Sequence, residues 1–314
     1  MCTQFTQDNH VAVVVRNDDI FGPLDSCLAH AHTPLVLWES VFRQPSWYAQ
    51  APGLRFGPDN ATGQRTYAAL IDRMAATHRW TSTTKIGLVR YDRSDQSQVQ
   101  SQAVEPALKQ HGLTLTDWEA VHTPESFQDL GTTSSELASA MLRMRQKGVT
   151  DVMFMGGDLA YLFAQEAPSQ NYFPKYALTS YDFPNMLPNS VLAGAYGIGW
   201  EPSDDLTSHF PPTVAMKQCQ QAAAGTGVNW TATGADRFYM TCNQMFFLQS
   251  AVNAARSVAP GALATGARLA GALPSSYTFG TNLSHRPDGL AAFRDLMFAG
   301  SCSCLRYGSQ FTLP

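Results

Sequence analysis

Residues 132–158 read TTSSELASAMLRMRQKGVTDVMFMGGD, and one helix–strand unit is legible in them almost residue by residue. Thr133 with Glu136 three places on predicts a capping box, the hydroxyl and the carboxylate each accepting from a free amide of the first turn. Leu137, Met141 and Met144 recur at helical spacing, and Arg143, Arg145 and Lys147 load the last turn, where the helix dipole favours cations. Gly148 is placed to stop the helix in the left-handed conformation. Residues 149–155 form a short apolar run that predicts a buried strand, opening at Gly156-Gly157-Asp158 into a turn and a second helix over 159–169. A further strand is predicted at 176–179. Strand, helix and strand within about 30 residues make a βαβ unit. Ligands of such sheets sit beyond the carboxyl ends of the strands, so function is expected at the turns 156–158 and 180–182.

The chain has 314 residues, enough for about two domains. Hydrophobic content of 44% against 15% charged residues predicts a globular chain. A net charge of −4, with no run of Lys or Arg, argues against a nucleic-acid partner, because phosphate neutralisation needs clustered cations. No apolar run approaches the roughly 20 residues that span a bilayer. Met1 is followed by Cys2-Thr3-Gln4-Phe5, with neither a basic nor an apolar region, so no signal peptide is expected in the chain as given. Six cysteines point the other way. Disulfides of an exported protein are favoured over six buried thiols, and no CxxC pair suggests zinc. A direct Cys302–Cys304 bond would close a strained small ring, so the pairing of those two stays open.

Before the 132–158 stretch, strands are predicted at 11–15, 34–38, 85–90 and 113–121. Helices are predicted at 24–31 and 64–78, and another runs from the turn at 91–95 to Gly112. Residues 44–63 are rich in Pro, Gly and Asn and predict a loop. After it come a strand at 195–200, helices at 212–224 and 236–257, and an irregular tail. Two α/β blocks, a helical return and a tail are the expected organisation.

Chemistry is mostly absent from the motifs. No Gly-x-Gly-x-x-Gly follows a strand, no Walker loop occurs, and no Gly-x-Ser-x-Gly elbow supplies a nucleophile. The eight histidines give no metal-ligand spacing, and the adjacent acids Asp18-Asp19 and Asp204-Asp205 read as solvated turn residues. No catalytic residue, metal or cofactor is therefore expected. Three predicted strand ends carry an aromatic beside an acid: Trp38-Glu39, Tyr91-Asp92 and Tyr181-Asp182. Apolar rings with a few placed polar groups are what small-molecule clefts use.

The chain resembles the type I periplasmic solute-binding proteins of the branched-chain amino-acid ABC-transporter class. The likeness is carried by Lys85-Ile86-Gly87-Leu88-Val89, Glu105-Pro106-Ala107-Leu108, His111-Gly112 and the run Met144 to Val152. Asn171-Tyr172-Phe173-Pro174-Lys175-Tyr176, Gly197-Ile198-Gly199-Trp200 and Cys302-Ser303-Cys304 extend it over nearly the whole chain. The resemblance implies an α/β fold of two doubly wound parallel-sheet lobes joined by hinge crossings, closing on a small polar molecule for ABC-type import. Lobe one would hold residues 1–83 and 204–285, and lobe two residues 84–203 and 286–314. The implied protein is no enzyme but an extracytoplasmic, periplasmic or lipid-anchored monomer that passes its ligand to a permease. Ligand contacts would come from Asp18, Asp19, Trp38, Glu39 and Ser40 in one lobe and Tyr91, Asp158, Tyr181 and Asp182 in the other. Asp182 would suit an ammonium group. Asp18 and Asp19 stand where a hydroxyl-rich turn would suit a carboxylate, which leaves amino-acid specificity open. If the chain is exported, Cys2–Cys27 and Cys219–Cys242 are expected to pair, since each pair brackets elements that should be neighbours. The family's first lobe begins with two strands and two helices before the strand matched here to 11–15, so the first lobe is expected to be incomplete, with either the start at Met1 misassigned or the gene a fragment. That strand would then lie at a sheet edge. The competing readings are an intracellular α/β enzyme with an unrecognised site, and a regulatory ligand-binding module of the same fold.

Overall fold

The computed structural model describes residues 2–16, 22–37, 43–124, 127–205, 212–227 and 236–312. In chain order the elements begin β1 (Val14–Arg16), α1 (Gly22–His30), β2 (Leu35–Leu37), α2 (Pro45–Ala49) and β3 (Arg55–Phe56). There follow α3 (Gly63–Ala76), β4 (Ile86–Tyr91), α4 (Ser94–Val99), α5 (Glu105–Gln110), β5 (Leu115–Val121), α6 (Leu130–Lys147) and β6 (Asp151–Met155). Next come α7 (Leu159–Glu166), β7 (Lys175–Leu178), α8 (Asn189–Leu192), β8 (Tyr196–Gly199), α9 (Val214–Ala222) and α10 (Asp236–Ala255). The chain closes with α11 (Pro260–Ala270), β9 (Ala272–Leu273), β10 (Thr281–Asn282), β11 (Ala292–Ala299) and β12 (Cys304–Thr312). Two compact units result: residues 1–62 with 210–292, and residues 63–209 with 293–314.

The first unit is built on a parallel three-stranded sheet in the order β1-β2-β3, with β1 at an edge. Strand side chains alternate between faces. Val14, Leu35 and Leu37 pack with Leu24 and Leu28 of α1, while Val13, Val15, Val36 and Phe56 pack with Phe247, Ala251, Leu263 and Ala267 of α10 and α11. Being covered on both faces is why these strands read as unbroken apolar runs. The predicted loop at 44–63 holds α2 and β3, too short to show a period.

The second unit carries a seven-stranded sheet in the order β12-β11-β8-β7-β6-β4-β5. The strands β5-β4-β6-β7-β8 are mutually parallel, and β11 returns antiparallel to β8. Numbered from β4, that parallel set is 2-1-3-4-5, the doubly wound order whose direction of winding reverses between β4 and β6. Val89, Val152, Phe154, Tyr176 and Leu178 from the strands meet Leu137, Met141, Met144 and Phe163 from the helices in one core. Helix α3, read from sequence as part of the first lobe, packs in this unit: Tyr67 donates 2.8 Å to the Phe154 carbonyl and Arg73 makes a two-pronged ion pair with Asp295 of β11.

Helix α6 ends at Gly148 as expected, but its predicted capping box is absent. The helix starts earlier, at Leu130, and Thr133 and Glu136 reach out of it instead. The Thr133 hydroxyl donates 2.9 Å to the His122 carbonyl, and the Glu136 carboxylate accepts the His122 amide at 2.5 Å. Both side chains thus clasp the loop that enters the helix from β5. The tail is not irregular. It forms two long strands, β11 and β12, whose hydrophobic faces are interrupted by charges and so escaped a periodic reading.

All six cysteines pair: Cys2–Cys27, Cys219–Cys242 and Cys302–Cys304, with Cα separations of 6.3, 5.8 and 5.2 Å. The first pins the opening segment to α1, the second joins α9 to α10, and the third closes the turn between β11 and β12. Replacing Cys219 and Cys242 together by Ser is expected to cost about 3 kcal/mol in the loop-entropy account. Urea unfolding of the oxidised protein and the double variant measures it; equal midpoints would show that α9 docks without the crosslink.

Candidate functional site

The site is built where β4, β6 and β7 end. At its carboxyl end β4 finishes in Tyr91, buried to 7% exposure, and β6 runs into Gly156-Gly157-Asp158. The Tyr91 hydroxyl donates to the exposed Asp158 carboxylate at 2.6 Å. Burial, then the Asp158 charge, hold that phenol proton far more tightly than usual. This pair therefore straddles the point between β4 and β6 where the sheet reverses its winding, the position at which doubly wound sheets open a crevice.

Strand β7 adds the neighbouring turn, Ser180–Asp182. Gly157 lets the two turns touch: a Cβ there would stand 2.8 Å from the Phe183 ring and 3.0 Å from the Tyr181 carbonyl oxygen. Tyr181 is half-buried and Phe183 is more exposed, with ring centroids 6.3 Å apart. Phe183 is held at φ 47°, ψ 56°, a left-handed conformation costly for a bulky side chain. That geometry turns the Phe183 ring outward beside Tyr181. Met186, 59% exposed, extends the apolar lip.

Asp182 does not face outward with them. It is fully buried, its Oδ2 accepting from the Thr179 amide (2.7 Å) and the Thr179 hydroxyl (3.0 Å). Its Oδ1 has no hydrogen-bond partner. Burial pushes its pKa up to about 8 against the Thr179 hydrogen bonds, with Asp204 adding to the rise. The side chain builds the turn that displays Tyr181 and Phe183, so it is a positioning residue for the lip.

Sequence reasoning missed what supports this turn. Ser180 Oγ donates to Asp204 Oδ2 (2.5 Å) and accepts from the Trp200 amide (2.8 Å). The Tyr307 hydroxyl lies 2.8 Å from the same carboxylate and 2.7 Å from the Glu201 carbonyl, while the Tyr307 amide donates to Asp205 at 3.2 Å. Asp204 and Asp205, read as solvated acids, are 2% and 4% exposed. Each is buried because it anchors the segment after β8 to β12. The only sequence cue was a Tyr in the tail, which nothing placed near residue 204.

In the first unit, Asp18, Asp19, Trp38, Glu39 and Ser40 all lie outside the described residues. Their described neighbours form a buried ionic group. Arg16, closing β1, donates to Asp25 of α1 at 2.7 Å, and Arg43 reaches the other oxygen of Asp25 at 3.2 Å. Trp47 lies under the guanidinium groups of Arg43 and Arg55, at 4.9 and 4.3 Å. Among the described residues no three His, Cys, Asp or Glu side chains stand together as a metal site, and no helix is long and apolar enough to cross a membrane.

No protein-family model and no curated relative matches the sequence. Solved structures do match. An ABC-transporter substrate-binding protein from Aeropyrum pernix aligns over 99% of this chain and 79% of its own, at 12% identity and TM-score 0.71. A solute-binding protein from Rhodopseudomonas palustris BisB5, in complex with 3,4-dihydroxybenzoic acid, aligns over 99% and 82%, at 11% identity and TM-score 0.71. A branched-chain amino-acid ABC-transporter protein from Thermus thermophilus, with bound valine, aligns over 99% and 80%, at 11% identity and TM-score 0.65. The chain has the type I periplasmic-binding-protein fold. The fold implied by the sequence resemblance is thereby established, and the Tyr91–Asp158 pair occupies the switch point of one of its sheets.

Proposed function

We propose that this protein is an extracytoplasmic solute-binding receptor, not an enzyme, which captures a small polar molecule and presents it to an ABC-type permease as a monomer. The observation that carries the reading is the Tyr91–Asp158 pair at the switch point, beside an outward-facing aromatic lip. An exposed carboxylate suits an ammonium or hydroxyl group, and the Tyr181 and Phe183 rings suit an apolar or flat body. Structural neighbours described with bound valine, Leu, 4-hydroxybenzoate and 3,4-dihydroxybenzoic acid support that ligand class: amino acids or hydroxylated aromatic acids. Three paired disulfides support a location outside the cytoplasm.

Calorimetric titration with amino acids and aromatic acids tests the reading. Asp158→Asn and Tyr181→Ala should each weaken the best ligand about tenfold, as expected for a lost charged contact or ring contact, without moving the melting temperature. Unchanged affinity in both variants would move the site elsewhere, and turnover of a titrated compound would replace the receptor by an enzyme.

A further inference from the structure

The first unit holds a cavity of about 330 Å³ that shares no residue with the Tyr91–Asp158 site. It opens between α2, β3, α11 and the segment 283–287. Its walls are apolar, with Tyr48, Phe56 and Leu283 each 5% exposed or less. Among the described residues its polar lining is basic: Arg55, Arg268, His285 and Arg286 contribute, and no Asp or Glu does. The size is at the lower end of small-molecule sites, roughly 300–1,000 Å³.

Arg55 makes this more than a greasy hollow. It is 5% exposed, and its Nε is buried without a hydrogen-bond partner. One Nη donates to the Trp47 carbonyl, which supplies no counter-charge. Among the described residues the acid whose field reaches it is Asp25, and both Asp25 oxygens are already engaged by Arg16 and Arg43. A buried guanidinium whose acid is shared with two other arginines leaves positive charge in the cavity wall, which favours an anion there. Burial correspondingly makes the Arg55 proton easier to lose than usual, against the pull of Asp25.

We propose that this cavity is a second binding site of the protein, taking a small carboxylate with an apolar body. The body packs on Tyr48, Phe56 and Leu283, and the carboxylate meets the cations, with Arg268 and His285 exposed at the rim. Benzoate is the test probe and benzamide its uncharged twin. Proton NMR of the full chain follows the His285 ring signals, assigned with His285→Gln. Benzoate should shift them saturably, benzamide should bind about tenfold more weakly, and Arg268→Glu should weaken benzoate about tenfold. Arg268 is exposed, so an unchanged melting temperature will certify the fold of that variant. Asp158→Asn should leave the His285 response intact, which separates this site from the one at the switch point. Absence of a saturable shift, equal affinity for benzamide, insensitivity to Arg268→Glu, or loss of the response in Asp158→Asn would each overturn the proposal.

Discussion

Raising the pH from 5 to 9 is expected to lower the stability of this protein, and Asp59→Asn and Asp182→Asn are each expected to remove part of that loss. Asp59, in the first unit, is fully buried. One of its oxygens accepts from the Asn243 amide group and the other has no hydrogen-bond partner. Burial raises its pKa to about 7, and Asp182 in the second unit is pushed up to about 8. In the unfolded chain both fall back to about 3.9. The native state therefore binds more protons than the unfolded state between those values, and stability falls as pH rises. The contribution is complete below about pH 4 and lost by the time the pH passes through 7 for Asp59 and 8 for Asp182. From pH 5 up to 7 about 2 pH units are traversed, an upper bound of about 3 kcal/mol for Asp59. Urea midpoints at pH 5, 7 and 9 measure this for the wild type and both variants. A flat wild-type profile would show that both carboxyls are ionised in the folded protein.

Gly197→Ala is expected to cost more than about 3 kcal/mol, enough to remove much of a typical domain's stability. Gly197 lies in β8 and pairs with Leu178 of β7. An added Cβ would fall on the Leu178 carbonyl oxygen, well inside van der Waals contact, and within 2.8 Å of the Leu178 amide nitrogen. Those atoms are ladder backbone flanked by the fully buried Leu178 and Ile198 side chains, so relief requires parting two core strands. Gly300, in the turn between β11 and β12, has open space where its Cβ would stand, and Gly300→Ala should stay within about 0.5 kcal/mol. Denaturant unfolding of both separates a packing demand from a general dislike of alanine. Equal stabilities would show that the β7–β8 ladder can shift to admit a methyl group.

The second unit was largely legible because its signals are local. The run 149–155, bounded by Gly148 and Gly156-Gly157, announced β6, and the turns at its end and at 180–182 do lie against each other. What failed there was direction. An acid beside an aromatic does not reveal which of the two points inward, and Thr179, by offering its amide and hydroxyl, turned Asp182 into the protein and left Tyr181 outside. The capping box failed for a related reason: Thr133 and Glu136 had a better use in holding His122, a contact eleven and fourteen residues back. Long-range partners were invisible throughout. Ser180, Asp204 and Tyr307 are more than a hundred residues apart at the extremes, and Arg55 was lost in a stretch read as loop because β3 is two residues long.

The split order of the chain has a consequence for how it is made. During synthesis β4 to β8 emerge consecutively, and their five-stranded parallel sheet can assemble once residue 199 has cleared the ribosome. At that stage β8 is an edge, and the strand that will cover it, β11, begins at Ala292, far along the chain. The first unit waits as well, since β1 to β3 lack the α10 and α11 faces that close their core. A nascent chain of this length thus presents two unprotected sheet surfaces at once, the kind of exposure that invites mispairing with neighbours. A holdase that shields the emerging chain until β11 arrives is therefore expected to raise the yield of folded protein.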